Sequence, residues 1–558
     1  MDYMDKVEQD LKDILKKAAV ELREARSNLV GDPAARLEQI TTQVSQPCIV
    51  AVVGQVKAGK SSFINALLRE DLAKVGTTET TATINYFCYS KGELAVDRTV
   101  RCFYRNGQSS YVDRAFLDNL QGNDIETLRR AAEIDHLEYY LRNRVLERVT
   151  LVDTPGTGAA VDEHQNATAE FLRLYQQLRE RHHEETRKLG DTADAIIYLI
   201  GAVAGNADQK FLEQFHELTG GQSEAFNAVG VMSKIDLYPE VVERRDELAN
   251  KIATQLKEYL NDVVPISAGI RQALDALLAN NRAGFEQLAE AVRAIAPGKA
   301  AKFFDNPNLY LKNSPDWPVP VERRKQLQGK MDWMVFSTMA RVLVDHGLNL
   351  EKAGKELNAI AGFDHLKELL ELHIFQRSRL LRYYNKTKEA RQVLDDLRYL
   401  PKSNKGDIDG VNSLERYLKI IQQARRAGCD PRAAQELEML VKKSLALQLQ
   451  PLDMIVERLD RELASIFHDL EHYNDDFGAL QKVIKHIDLF SDAEVNELRT
   501  LFGLFGLETG DQLSLEYIKR QQIKWRASSM KDQLSIRRDV ANQAVVCYGL
   551  IQKKLLRN

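Results

Sequence analysis

Residues 48–68 read CIVAVVGQVKAGKSSFINALL. An unbroken apolar run over 48–53 passes into a glycine-rich turn and then into a helical pattern. The turn fits G-x-x-x-x-G-K-S. Gly54, Gly59, Lys60 and Ser61 hold the fixed places, and Gln55, Val56, Lys57 and Ala58 lie between them. The glycines let backbone N–H groups curl around a phosphate, and a helix starting near Ser61 aims its positive end at it. Lys60 is suited to reach the β- and γ-phosphates. The Ser61 hydroxyl can ligate Mg²⁺, with Ser62 following it. Strand, loop and helix stand in the order that this motif requires.

The chain outside this stretch is long enough, at 558 residues, for roughly two to four domains. A net charge of −4 excludes a generally polybasic protein and permits local basic faces. The cysteines Cys48, Cys88, Cys102, Cys429 and Cys547 are scattered and free of C-x-x-C spacing. They imply a reducing compartment and no zinc site. The opening MDYMDKVEQD is acidic and lacks the apolar centre of a signal peptide. No apolar run approaches the roughly 18 residues of a membrane-spanning helix. A soluble, cytoplasmic chain is expected, with no integral membrane span.

Short apolar runs over 48–53, 83–89, 99–104, 149–152, 195–200, 228–232 and 263–266 alternate with helical patterns. Most are continuously apolar, as strands buried on both faces of a largely parallel sheet are. Before them, Met4, Val7, Leu11, Ile14, Leu15, Ala18 and Leu22 recur at helical spacing. Gly31-Asp32-Pro33 interrupts this pattern, which predicts a helix hairpin over 1–45 or a helix packed on the domain. In 270–360 helical stretches surround FFDNPNLYLKNSPDWPVP, whose prolines forbid a continuous helix. From about 362 the pattern is helical, with Ser491 and Glu494 spaced as a capping box. Residues 517–558 carry ten Lys or Arg against two Asp, which suits a solvated helix or a surface for acidic lipid or nucleic acid. His182 and His183 are adjacent, so they would face different sides of a helix and make a poor metal pair.

Four further motifs follow the phosphate loop in order. In the threonine-rich stretch Thr77-Thr78-Glu79-Thr80-Thr81-Ala82-Thr83, the Thr81 hydroxyl is the choice to complete a Mg²⁺ shell and sense the γ-phosphate. Next, Val149-Thr150-Leu151-Val152-Asp153-Thr154-Pro155-Gly156 ends a strand with D-T-P-G. Asp153 suits a water-mediated contact to Mg²⁺, and the Gly156 N–H suits the γ-phosphate. Finally, Ser233-Lys234-Ile235-Asp236 follows one strand and Ser267-Ala268-Gly269 another. A carboxylate at Asp236 can accept from N1–H and the N2 amino group of guanine; adenine offers neither. Lys234 can lay its stem over the base, and N–H groups of the Ser267-Ala268 turn can meet guanine O6. GTP or GDP with Mg²⁺ is the expected ligand.

The motif set and its surroundings resemble the bacterial dynamin-like GTPases. The second serine in G-K-S-S-F-I-N-A-L-L, the stretch ETTATINYF and the long gap from Thr81 to Asp153 carry the resemblance. So do the helices on either side of the nucleotide-binding part. It implies an α/β P-loop GTPase domain, a mostly parallel sheet flanked by helices, plus an elongated all-α neck and trunk. The expected domains are neck helices in 1–45, a GTPase domain in 46–375 with an insertion at about 270–360, and a helical stalk in 376–558. Residues 1–45 and 517–558 would pair as the neck. The domain would close at the helix around 361–370, with 284–288 as its rival. By resemblance, GTP hydrolysis would couple head dimerisation to stalk movement in membrane remodelling, vesicle release or toxin secretion. Lys60, Thr81 and Gly156 would serve the reaction. The partner would be a second copy or a paralogue, with peripheral attachment to an anionic inner membrane.

Two departures stand out. Val56-Lys57 replaces the Gln-Ser pair of eukaryotic dynamins, and Lys57 could instead stabilise charge on the β–γ bridging oxygen or simply face solvent. Thr157 stands where small GTPases carry a water-orienting Gln, so unassisted hydrolysis should be slow. The alternative function is a soluble switch GTPase that binds a protein or ribosome. Nucleic-acid binding through 517–558 is the least favoured reading. Residues 501–507, LFGLFGL, suit either an apolar tip or a core helix ending at a glycine.

Overall fold

The computed structural model describes residues 3–25, 32–55, 58–68, 83–90, 99–120, 125–153, 193–218, 227–294, 304, 306–313, 319–329, 331–399, 409–426, 430–502 and 514–557. The chain divides into two compact units. One is residues 47–378; the other joins 1–46 to 379–558.

Among the described residues the first unit is built on nine strands. They are β1 (Cys48–Gly54), β2 (Ile84–Tyr89), β3 (Val100–Tyr104), β4 (Ser109–Val112), β5 (Ile134–Leu141), β6 (Val149–Asp153), β7 (Ala195–Ile200), β8 (Ala228–Met232) and β9 (Val263–Pro265). Their order is β4-β3-β5-β2-β6-β1-β7-β8-β9. From β6 to β9 every pairing is parallel, and β7 and β8 are buried along their whole length. This matches the continuously apolar runs read as strands. On the other side the sheet is mixed: β2 runs antiparallel to β6 but parallel to β5, and β3 is antiparallel to both β4 and β5. Buried Asp194 ties the start of β7 to β1, its N–H donating to the Ile49 carbonyl and its carboxylate accepting the Ile49 N–H, both at 2.8 Å.

Both candidate closing helices lie in this unit. Residues 284–288 fall inside the helix Ala268–Arg293, where Phe285 and Leu288 are buried. The helix Phe363–Leu370 packs near the helix Lys60–Leu68, with the rings of Phe363 and Phe63 6.1 Å apart. Within the expected insertion, Phe304, Tyr310, Trp333 and Phe336 form an aromatic cluster. Helices Trp333–Asp345 and Leu350–Ala361 pack on Ala268–Arg293.

The second unit is helical. Helices Tyr3–Ala25 and Pro33–Val44 pack on each other. Asp32 caps the second, accepting the Ala35 N–H at 3.0 Å. Of the periodic residues of the first, Leu11, Leu15, Ala18 and Leu22 are fully buried and Ile14 partly so. Each such leucine contributes about 1.5–3 kcal/mol. The pairing of 1–45 with 517–558 implied by the resemblance is not the one seen in this core. The cluster under the N-terminal helices takes its other members from residues 380–397 and 456–473. An amphipathic stripe states that a partner exists and leaves its identity open. Buried Arg382 adds a polar tie, donating through Nε and a terminal nitrogen to the Gln43 carbonyl at 3.1 and 3.0 Å.

The basic C-terminal segment forms helices Leu515–Lys531 and Ser535–Arg557, which pack on each other. The second also packs on the 55-residue helix Pro431–Lys485. Ser491 and Glu494 form the expected capping box. The Glu494 carboxylate accepts the Ser491 N–H at 2.9 Å, and the Ser491 hydroxyl oxygen accepts the Glu494 N–H at 3.4 Å. That box opens the helix Asp492–Phe502, whose Leu501 and Phe502 are buried; residues 503–507 lie outside the described residues. Among the described residues no helix is long and apolar enough to cross a membrane. The described cysteines Cys88, Cys102 and Cys547 are free thiols. The pair His182-His183 lies outside the described residues.

One buried acid makes this unit sensitive to pH. Asp476, on Pro431–Lys485, faces Gln543 and Cys547 on Ser535–Arg557, and accepts the Gln543 Nε2–H at 2.7 Å. Burial pushes its carboxyl from 3.8 up to about 6, helped by the neighbouring Asp475 and opposed by the hydrogen bonds from Gln543 and Cys547. A raised pKa means that the fold favours the neutral acid. The stabilisation is therefore full below the unfolded-state value and lost as pH rises through the folded one. Asp476→Asn is expected to stabilise the chain by about 1–3 kcal/mol near neutral pH, with the gain shrinking to nothing toward pH ~4. Urea melts at both pH values check this; a gain that persists in acid would contradict it.

Candidate nucleotide site

Parallel pairing brings the carboxyl ends of five strands level. Val52 lies opposite Asp153, Gly54 opposite Leu199, Ile200 opposite Met232, and Met232 opposite Pro265. The phosphate loop and the motifs at Asp153, Ser233–Asp236 and Ser267–Gly269 therefore start from the same edge of the sheet. Ligands of open α/β sheets bind outside that edge, where neighbouring strands diverge.

At the centre, Gly54 closes β1 with φ +156° and Gly59 follows with φ +86°. A Cβ on Gly54 would sit 2.8 Å from the Leu199 carbonyl oxygen, so the strand can turn out of the sheet only with glycine here. The helix Lys60–Leu68 begins at once, its first buried residue being Lys60 itself. The Lys60 ammonium donates to the carbonyls of Gly54 and Gln55, both at 3.1 Å. Burial lowers its pKa, and the charge of Asp153 opposes that shift. A dehydrated ammonium held by two neutral carbonyls is ready to exchange them for phosphate oxygens. The Ser61 hydroxyl donates to Asp153 Oδ2 at 2.9 Å. Hydroxyl and buried carboxylate side by side form an oxygen pair of the kind that Mg²⁺ takes. Ser62 presents its carbonyl to Gln272 Nε2 at 3.0 Å.

At the base end, the Ser233 hydroxyl donates to the Ala58 carbonyl at 2.9 Å, with the Ile200 carbonyl at 3.3 Å. Lys234 adopts a left-handed backbone, φ 58°, and its stem passes over the phosphate loop, with Cε 3.5 Å from where a Cβ on Gly59 would lie. Base and phosphate loops are thereby joined. Asp236 is buried, and burial raises its carboxyl pKa against a hydrogen bond from Ser267. Ser267 is the N-cap of Ala268–Arg293 and accepts the Ile270 N–H at 2.9 Å; Ala268 opens that helix. Gly269 is packed between Asp236 and Val335, a residue of Trp333–Asp345. The Ser267 N–H donates to the Ala361 carbonyl at 3.2 Å. Gly362, φ +74°, lies so close under Pro265 that a Cβ would collide with the Pro265 carbonyl.

The structure thus brings Gly54, Gln55, Ala58, Gly59, Lys60, Ser61, Ser62 and Asp153 together at one end, and Ser233, Lys234, Asp236, Ser267 and Ala268 at the other. Val56, Lys57, Thr81 and Gly156 lie outside the described residues. Two contributors escaped the sequence. Asp332 stands close enough to Asp236 to raise its pKa further, and Asp208 binds Gln55. Asp208 follows Gly205 by three residues, a spacing readable as a helix cap but not as a contact to the phosphate loop.

Residues 50–231 match the sequence profile of the dynamin family. Isoniazid-induced protein IniC of Mycobacterium tuberculosis is 28% identical over 246 residues, 42% of this chain and 45% of that protein. Dynamin-like protein 1 of Campylobacter jejuni is 24% identical over 249 residues, 36% of this chain and 30% of its own. The chain spans less than half the length of these curated relatives. Among solved structures, an oligomerised bacterial dynamin pair covers 99% of this chain and 74% of its own. Its identity is 14% and its TM-score 0.26, too loose a likeness to carry an argument.

Proposed function

Since residues 50–231 are a dynamin-family GTPase domain, we propose that this chain hydrolyses GTP with Mg²⁺ and couples the nucleotide state to a helical unit that docks on anionic membrane. The observation that carries the first part is the level row of strand ends, with Lys60, Ser61 and Asp153 at one end and Asp236 and Ser267 at the other. Lys60 takes up the charge of the β- and γ-phosphates. Ser61 and Thr81 would hold Mg²⁺ and Asp153 would orient it through water, the ion supplying neutralisation of phosphate charge, and Gly156 would report the γ-phosphate. Asp236 accepts from guanine, and Ser267 orients its carboxylate. We take the GTPase domain as 46–375, closing at Phe363–Leu370.

Support for membrane docking comes from the hairpin of helices Asp409–Arg426 and Pro431–Lys485. Near its turn Tyr417, Ile420, Leu437, Met439 and Leu440 are exposed, Met439 by 68% and Leu440 by 63%. Lys419, Arg425, Arg432 and Lys442 stand among them, Arg425 and Lys442 sharing the Glu438 carboxylate. Apolar residues mixed with basic ones suit an anionic lipid surface, the rings and chains entering the headgroup layer while lysines and arginines stay in it.

The experiment is flotation of the full chain with anionic and neutral vesicles, with and without GTP, read beside GTP turnover across protein concentration. The expected result is flotation with anionic vesicles, and turnover per molecule that rises as heads meet. Ile420→Asp with Leu440→Asp should reduce flotation about ten-fold or more and leave lipid-free turnover intact. Turnover without flotation in any nucleotide state would favour a soluble switch GTPase instead.

A further inference from the structure

We propose that Asp208 is a positioning residue of the phosphate loop: it fixes the Gln55 side chain, and through the Gln55 backbone it fixes the resting place of Lys60. This rests on the nucleotide reading above and adds a residue that none of the four motifs contains.

Asp208 lies in the first turn of the helix Asn206–Leu218 and is 4% exposed. Its Oδ2 accepts the Gly205 N–H at 2.9 Å, while the Gly205 carbonyl accepts the N–H groups of Asp208 and Gln209. That is the return half of a helix-capping arrangement, and it fully explains one oxygen. The other is not explained by it. Oδ1 accepts from Gln55 Nε2 at 3.1 Å and from the Tyr198 hydroxyl at 2.9 Å. Tyr198 is itself buried on β7, which pairs directly with β1. A capping acid ordinarily stands in water at a helix end. This one is drawn into the sheet and spends its second oxygen on the phosphate loop.

The route to the chemistry is short. Gln55 is the first residue after β1, and its carbonyl is one of the two that hold the Lys60 ammonium. Gly54 before it has no side chain with which to anchor the turn. The side chain of Gln55, tied to a buried carboxylate by a charge-assisted bond, supplies that anchor. When phosphate oxygens draw Lys60 off the two carbonyls, Asp208 keeps Gln55 from following.

The test is a double-mutant cycle on the full chain between Asp208→Ala and Gln55→Leu. Gln55→Leu leaves the helix cap untouched, so it isolates the contact even if Asp208→Ala folds poorly. The first readout is hydrogen exchange of the amides of residues 58–61 without nucleotide. Each variant should speed exchange about ten-fold, and the double variant should add nothing. The second is guanine-nucleotide affinity, expected to fall about ten-fold in each single variant. Asp208→Asn should recover most of it, because its carbonyl oxygen can still accept from Gln55 and Tyr198, while the cap to Gly205 is lost. Unchanged exchange in Gln55→Leu, or strictly additive effects, would overturn the proposal. A wild-type chain that binds no guanine nucleotide would instead sink the nucleotide reading, and the exchange result would still judge Asp208.

Discussion

Lys60→Ala is expected to lower GTP turnover by about 10²–10³-fold, as loss of a preorganised charge at a reacting phosphate does. The fold should survive. Lys60 is buried, its pKa is depressed by that burial, and its present partners are two carbonyls at 3.1 Å, so removing it relieves a desolvated charge. The melting temperature should therefore hold or rise while activity collapses. Lys60→Arg should not rescue, because a planar guanidinium fork does not reproduce the point charge that Lys60 places between the Gly54 and Gln55 carbonyls. Steady-state phosphate release beside a thermal melt checks both halves. Turnover that survives in Lys60→Ala would place hydrolysis at some other site or in another protein.

The second large effect concerns the base. Asp236→Asn is expected to weaken GTP binding by about 10²–10⁴-fold and to shift preference toward xanthosine triphosphate, whose C2 carbonyl accepts what the Asn amide donates. Titration of the wild-type chain has a definite sign. Both guanine donors require the carboxylate, and burial raises the Asp236 pKa. Guanine affinity should thus be full at high pH and fall as pH drops through the raised value, because a protonated acid turns one acceptor into a donor. Fluorescent-nucleotide titrations across pH measure it. In Asp236→Asn this component of the pH profile should vanish; a profile shared by both chains would assign the titration elsewhere.

The legibility of this molecule followed burial. The seven runs read as strands correspond to β1, β2, β3, β6, β7, β8 and β9; in β1, β6, β7 and β8 apolar residues run together because the centre of the sheet is buried. The strand β5, Ile-Asp-His-Leu-Glu-Tyr-Tyr-Leu, was not legible. It alternates buried with half-exposed residues and begins directly at the end of the charged helix Ile125–Glu133. β4, four residues with two exposed serine and tyrosine positions, carries too little apolar signal. In the site, fixed spacing pointed to Lys60, Ser61, Asp153 and Asp236. Asp208, Asp332 and the Gly362 approach to Pro265 depend on chain returning from far away, which no local pattern encodes. The same holds for the N-terminal helices, whose stripe was plain and whose partners at 380–397 and 456–473 were not.

The order of the sheet also bears on how this chain behaves in concentrated solution. Among the described residues its outermost strands are β4, with four residues, and β9, with three and ending in Pro265. Short margins, one closed by a residue without an N–H, give a foreign strand little to zip onto. Strand addition and amyloid-like stacking are thereby discouraged from both ends. Association seen in this chain on raising concentration should therefore leave its amide-I strand signal unchanged, which distinguishes assembly of folded molecules from aggregation.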